Sequence, residues 1–378
     1  MKRQGFTLVE MLVAMALTLF IMVILSQAFI TGLDTFSQLK GLGDMEEKLR
    51  VFTNNMRADL TMDHFEAKRR MSDPTFLSAF PRQGFFRIYQ KTPSFLEGSD
   101  LDDPNPPNAS SGLDPTQIPP AYPVHMLHFT IKLRGNRREN FLAATVPSGS
   151  PLLTFTNTTS PNFFGQPGDA VYATNTFNSQ WGEVFYFVVW SGKTTDTGTN
   201  LFNLYRAQFV VVPRNDQVNA QNAQTAGSLL SSYTNVACNS YIDNVSSSSF
   251  LYCYTPGDLA LQPAAPSSLP PSAGSIVAPR TIDPKSLDVI NNTITRGTTK
   301  GVAATPMATL VASNVVHFTA QMMTRTAAGV ADTDFLTDQR DFDTAVTTGY
   351  QVMAVQIILR VWDQKTQQSR QISVVQDM

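Results

Sequence analysis

Glu10 is the residue whose position demands a partner. From Phe6 to Ile30 it is the one charged side chain in an apolar run, and Lys2 and Arg3 precede that run. A carboxylate carried into a membrane helix costs about 2.5–3.5 kcal/mol, so it usually meets a compensating charge. By itself Glu10 could also sit near the cytoplasmic interface with its head in water. The other chemistry-bearing groups are sparse. His125 and His128 lie three apart in a predicted strand, where they face opposite sides and do not converge on a metal. Asp332, Asp334, Asp338, Asp341 and Asp343 crowd one loop, and Asp100, Asp102 and Asp103 another. Neither has the spacing of an EF-hand, so the expectation is a solvated acidic loop and no cofactor. Calcium at Asp332, Asp334 and Asp338 is the alternative. The Ser246 to Ser249 tract has no evident His partner, and no Gly-x-Ser-x-Gly elbow or Gly-x-x-x-x-Gly-Lys phosphate loop occurs. The expectation is a chain that is not an enzyme.

The run that holds Glu10 is long enough to cross a bilayer as a helix, which takes about 20 mainly apolar residues. With Lys2 and Arg3 ahead of it, the first residues stay cytoplasmic and everything after about residue 30 lies outside. Beyond it Leu39, Leu42, Met45, Leu49, Phe52, Met56 and Leu60 recur in steps of three and four. That spacing marks the buried stripe of an amphipathic helix. The simplest reading is one helix from Phe6 to about Arg70, membrane-spanning over 6–30 and amphipathic over 31–72, with Gly32, Gly41 and Gly43 as weak spots. From Pro74 the pattern turns to strands: Phe85 to Lys91, Val124 to Leu133, Glu183 to Trp190, Leu201 to Val212, Leu310 to Met323, Tyr350 to Trp362 and Gln368 to Val375. Few helical patterns separate them, which favours antiparallel pairing. The expected class is α+β, a long helix laid on an antiparallel sheet domain over 73–378. Polar, Pro-rich stretches near 93–123, 146–179 and 213–306 read as insertions.

Composition agrees. Among 378 residues, 42% hydrophobic and 10% aromatic content supports a real core, and 15% charged residues with 23 Pro and 21 Gly suit a loop-rich exported protein. Lys+Arg 28 against Asp+Glu 30 leaves no basic excess for nucleic acid. Cys238 and Cys253 are too few for a tetrahedral Cys site but suffice for one disulfide in an oxidising compartment. Such a bridge would be worth about 3 kcal/mol in the chain-entropy model.

Gly5-Phe6-Thr7-Leu8-Val9-Glu10 resembles the signal of type IV pilins and pseudopilins, a basic leader ending in Gly before an apolar helix. The resemblance implies removal of leader 1–5 by a prepilin peptidase between Gly5 and Phe6 and N-methylation of Phe6. It also implies that Glu10 pairs with the terminal ammonium of a neighbouring subunit, setting axial register. Two charges in an apolar filament core are tolerable when each meets its opposite. An ordinary secretory signal cut after Ser26-Gln27-Ala28, or an uncleaved anchor, would leave Glu10 and the Gly5-Phe6 junction unexplained.

Later segments are similar to the J-type minor pseudopilins of type II secretion and the related W-type minor pilins. They are Met56-Arg57-Ala58-Asp59-Leu60, Trp181 to Val189, Leu204-Tyr205-Arg206, Leu310 to Phe318 and Tyr350 to Asp363. That similarity implies a structural subunit at the pseudopilus tip that helps initiate assembly. Before assembly it would be a single-pass protein of the bacterial inner membrane, with its C-terminal domain in the periplasm. Its partners would be other minor and major pseudopilins and an inner-membrane assembly platform. The alternatives are a minor pilin of a type IV pilus, serving adhesion, motility or DNA uptake, and a membrane-anchored periplasmic binding domain.

Overall fold

A computed structural model describes residues 8–89, 126–146, 152, 176–213, 233, 235–242, 249–260, 293–296, 299–303, 308–329, 335, 342–345 and 349–378. The apolar run folds as the start of one helix, α1 (Leu8–Leu60), about 80 Å long at 1.5 Å per residue. Thr18, inside the apolar run, turns its hydroxyl back onto the helix, donating to the Ala14 carbonyl at 3.1 Å and the Met15 carbonyl at 2.9 Å. Such back-bonding satisfies that hydroxyl without water.

Seven strand expectations are met, with small shifts at the ends. The main sheet contains β1 (Phe86–Tyr89), β2 (Met126–Lys132), β5 (Trp181–Thr194), β6 (Asn200–Val210), β11 (Ala308–Thr326), β12 (Phe342–Asp343), β13 (Tyr350–Asp363) and β14 (Gln368–Asp377). Its order is β12-β1-β2-β5-β6-β11-β13-β14, antiparallel at every pairing. The α+β reading therefore holds. The second half of α1 lies on this sheet through Met45, Leu49, Phe52, Met56 and Leu60, all buried, and Phe52 meets Phe318 of β11 edge to face at 6.4 Å. Leu42 packs partly against the same core, whereas Leu39, which belongs to the same sequence stripe, is exposed.

Three expectations are corrected. First, α1 stops at Leu60 instead of running on toward 70–72. The backbone of Asp63 forms an isolated bridge with Lys132, whose N–H donates to the Asp63 carbonyl at 2.7 Å, and His64 Nε2 lies 3.3 Å from the Leu60 carbonyl. Capture by the end of β2 then turns Phe65, Met71 and Phe76 into the core, which burial of about 1.5–3 kcal/mol per large apolar side chain favours over another helical turn.

Second, Gly41 is no weak spot. A Cβ there would lie 2.3 Å from Asp363 Oδ2, so glycine lets the turn after β13 approach the helix, while Gly43 faces open space. Third, the polar stretches are not loop throughout. Their described residues include paired strands: β4 (Thr176–Ser179) pairs with β3 (Leu142–Thr145), which lies just ahead of the second stretch, β7 (Cys238–Ile242) with β8 (Ser249–Cys253), and β9 (Thr293–Arg296) with β10 (Thr299–Ala303). Val146, Leu152, Phe177, Tyr233 and Val236 form a second small core with Val210, Val212 and the two cysteines.

Candidate functional site

Two sites bear on function, the exposed half of α1 and the joint that fixes its other half to the sheet. Leu8 through Leu39 present large apolar side chains to the outside, including Leu12, Leu19, Phe20, Met22, Ile24, Phe29 and Phe36, each more than half exposed. α1 is long and apolar enough to cross a membrane, and its most apolar stretch is not buried in the domain. A patch of that size on a water-soluble surface would be an aggregation hazard, so it belongs against lipid or other chains. Glu10 lies on this segment and is exposed. Gly5 and Phe6 lie outside the described residues.

At the opposite end, Asp59 accepts two hydrogen bonds from Arg206 of β6, from Nε to Oδ2 at 2.6 Å and from Nη2 to Oδ1 at 2.8 Å. Tyr186 of β5, paired with Arg206 across the strands, donates its hydroxyl to Oδ2 at 2.6 Å. The fork is planar and charge-assisted, the strong form of such contacts. Burial, then the Asp59 charge, pushes the Tyr186 hydroxyl well above its ordinary pKa. Arg206 is raised as well: burial opposes its charge, but the Asp59 hydrogen bonds and charge prevail.

Below this joint His64 is buried, with Nδ1 2.7 Å from the Thr130 carbonyl. Two carbonyl neighbours would suit an imidazolium, yet burial outweighs them and holds its pKa below the ordinary 6.5. Asp59, Tyr186 and Arg206 lie in three separate segments of the sequence, whose local patterns do not join them. The usable signal was polar side chains standing among apolar neighbours on three elements.

The remaining sequence candidates resolve as follows. His128, read as an ordinary sheet residue, is buried with Nε2 2.6 Å from Glu183 Oε1, flanked edge-on by Phe85 and Phe185. His125 lies outside the described residues, as do Asp100, Asp102 and Asp103, and Asp332, Asp334, Asp338 and Asp341. Asp343, expected in a solvated acidic loop, is instead buried on β12 beside Arg87 at 3.7 Å. Among the described residues no group of three or more His, Cys, Asp or Glu could hold a metal. Cys238 and Cys253 are direct partners across the β7–β8 pair and both are buried.

Comparison with known proteins agrees with the amino terminus. Residues 1–26 match the family described as Prokaryotic N-terminal methylation motif. No curated protein and no solved structure matches the chain. The motif implies processing by a prepilin peptidase and assembly with other pilin-like subunits in a membrane machine, a structural and not an enzymatic family of roles. One apolar helix and that motif fit a membrane-anchored protein with a C-terminal domain. The motif at residues 1–26 thus indicates a type IV pilin-like protein of a pilus or pseudopilus system.

Proposed function

We propose that the chain is a minor pseudopilin of a type II secretion system, a structural subunit of the pseudopilus tip that helps initiate assembly. In this reading the prepilin peptidase cuts between Gly5 and Phe6, Phe6 is N-methylated, and the single-pass protein waits in the inner membrane with its domain in the periplasm. Glu10 then neutralises the terminal ammonium of an adjoining pseudopilin, and major and minor pseudopilins join on an assembly platform. The observation that supports it best is the pairing of a wholly exposed apolar half-helix with a bulky domain clamped to the other half through Asp59 and Arg206. A domain of that bulk is hard to repeat along a closely stacked filament and easy to place once, at an end.

In the same compartment Cys238 and Cys253 form a disulfide. Direct antiparallel partners have Cα atoms roughly 4.5–5.5 Å apart, inside the roughly 4.4–6.8 Å window that a bridge requires. Non-reducing mass spectrometry should recover the linked peptides, and finding both thiols alkylatable without reductant overturns the bridge. The functional test is secretion. A strain lacking the chain should fail to release folded exoproteins, wild-type chain should restore release, and Glu10→Ala should not. Intact secretion with loss of piliation, motility or DNA uptake would assign the chain to a type IV pilus instead. A mature chain beginning at Met1, or beyond residue 26, would remove the filament reading altogether.

A further inference from the structure

Where α1 ends, the chain builds a cleft of about 320 Å³ that the filament reading does not use. Lys68 and Lys132 line it with Arg134, and Asp63 is the carboxylate in its wall. Asp63 is already engaged, since Arg134 Nε donates to it. Glu66, the nearest other acid in sequence, turns away to accept from the Arg82 and Gln83 N–H groups at 3.0 Å each. Lys132 is half-buried with Nζ 4.8 Å from the centre of the Trp181 ring. Among the described residues neither Lys68 nor Lys132 has a carboxylate within ion-pair distance.

The backbone around the cleft is specialised. Ala67 and Lys68 stand at φ 51° and 62°, left-handed conformations that non-glycine residues avoid at a cost of about 1–2 kcal/mol each. Opposite them Gly135 stands at φ 117°, its carbonyl held by Gln180 Nε2 at 2.7 Å. Strain of this kind persists where surrounding structure enforces it, and it gathers at ligand sites. The cleft lining carries three cations, Lys68, Lys132 and Arg134, against the single carboxylate of Asp63, in a chain of net charge -2. The cleft is thus the reverse in sign of the molecule around it.

We propose that this cleft binds a carboxylate-rich peptide segment of a partner protein, with Lys68 and Lys132 receiving the anionic groups. Its volume is at the lower end of ordinary ligand pockets, roughly 300–1,000 Å³, enough for one or two acidic side chains. Lipid phosphate is the competing source of anions, and distance disfavours it. From residue 30 to Leu60 the helix rises about 45 Å, so the cleft stands far from the headgroups that surround the anchor. That step rests on reading α1 as a membrane anchor, whereas the charge match does not.

The test is calorimetric titration of the full-length chain in zwitterionic detergent with a capped tetraglutamate peptide. Capped tetraglutamine, inorganic phosphate at equal ionic strength and phosphatidylglycerol vesicles serve as comparators. Tetraglutamate should bind, tetraglutamine should not, and raising salt should weaken the complex. Lys68→Glu and Lys132→Gln should each weaken it about ten-fold. Arg137→Glu, an exposed cation outside the cleft lining that faces Glu139 at 3.7 Å, should leave it unchanged.

Lys68 is exposed, so Lys68→Glu decides the matter if Lys132→Gln fails to fold by circular dichroism. No tetraglutamate binding, equal binding by Lys68→Glu, or equal binding of tetraglutamine overturns the proposal. Phosphate binding as tightly as the peptide, or vesicles capturing the chain through Lys68, would also overturn it. None of these outcomes depends on whether the chain assembles into a filament.

Discussion

The two halves of α1 are one continuous helix under two different constraints. Residues 8–39 expose nearly every large apolar side chain, while from Gly41 to Leu60 one face is buried and the other charged. Over residues 8–30 the sequence is apolar on nearly every side, so no domain surface is needed to define a contact face, and Glu10 is the one charged residue within it. In the second half the apolar stripe selects the sheet, and Asp59 with Arg206 and Tyr186 selects one place on it. The contrast separates a surface reserved for other molecules from one already spent on the protein's own fold. A residue change should therefore disturb assembly or stability according to which half it strikes.

The largest effect expected falls in the first half. Glu10→Ala should leave membrane insertion and the fold intact but leave an adjoining ammonium buried and unpaired. That costs about 3–5 kcal/mol, about 100-fold or more in incorporation. Quantitative immunoblotting of sheared filaments against membrane fractions checks it, and normal incorporation would sink the register role. Next comes the clamp. Asp59→Ala should cost about 3–5 kcal/mol by stranding Arg206 among apolar neighbours. Denaturant titration of the full chain in detergent measures this, and the double variant Asp59→Ala/Arg206→Ala should recover part of the loss. A double variant no better than the single would show that the two do not act as a pair.

A smaller contrast lies between neighbouring glycines. Gly41→Ala should destabilise by about 1–2 kcal/mol, because the new methyl meets the carboxylate of Asp363. That carboxylate is held in place by the Thr366 N–H at 3.1 Å and Oγ1 at 2.8 Å. Gly43→Ala, in open space, should stabilise by about 0.5–1 kcal/mol through helix propensity. Effects of equal sign would mean the helix does not approach the β13–β14 turn.

The smallest effect is a pH dependence at the end of the second half. The folded pKa of His64 lies below 6.5, through burial and against the nearby carbonyls and the charges of Asp59 and Asp63. The unfolded chain therefore takes up a proton that the folded one refuses. Stability is intact above the unfolded value and falls as pH drops below about 6.5, by at most about 1.4 kcal/mol per unit. His317, lowered by burial and by Arg360, adds in the same direction. Chemical denaturation at a series of pH values, with His64→Gln flattening the slope, is the check.

What was legible in advance follows the range of the forces involved. The stripe from Met45 to Leu60 and the seven strands of the sheet were readable because their periods of three to four and of two are written locally. The end of α1 was not, because the residues after Leu60 remain compatible with helix and only the encounter of Asp63 with Lys132 stops it. The pairings of 142–145 with 176–179 and of 238–242 with 249–253 were not legible because four- and five-residue strands in polar surroundings carry almost no periodic signal. Likewise His128 looked like any sheet residue until Glu183 was found beside it.

By itself the amino-acid sequence determined the methylation motif at residues 1–26 and an apolar run long enough to cross a membrane, since both are written in local residue order and need no folded context. It determined the α+β class for the same reason. Only the tertiary structure decided that Asp59 meets Arg206 across 147 residues, that Gly41 makes room for Asp363, and that Lys68 and Lys132 share a cleft. Those pairings depend on sheet order and on where the helix stops, and long-range packing sets both.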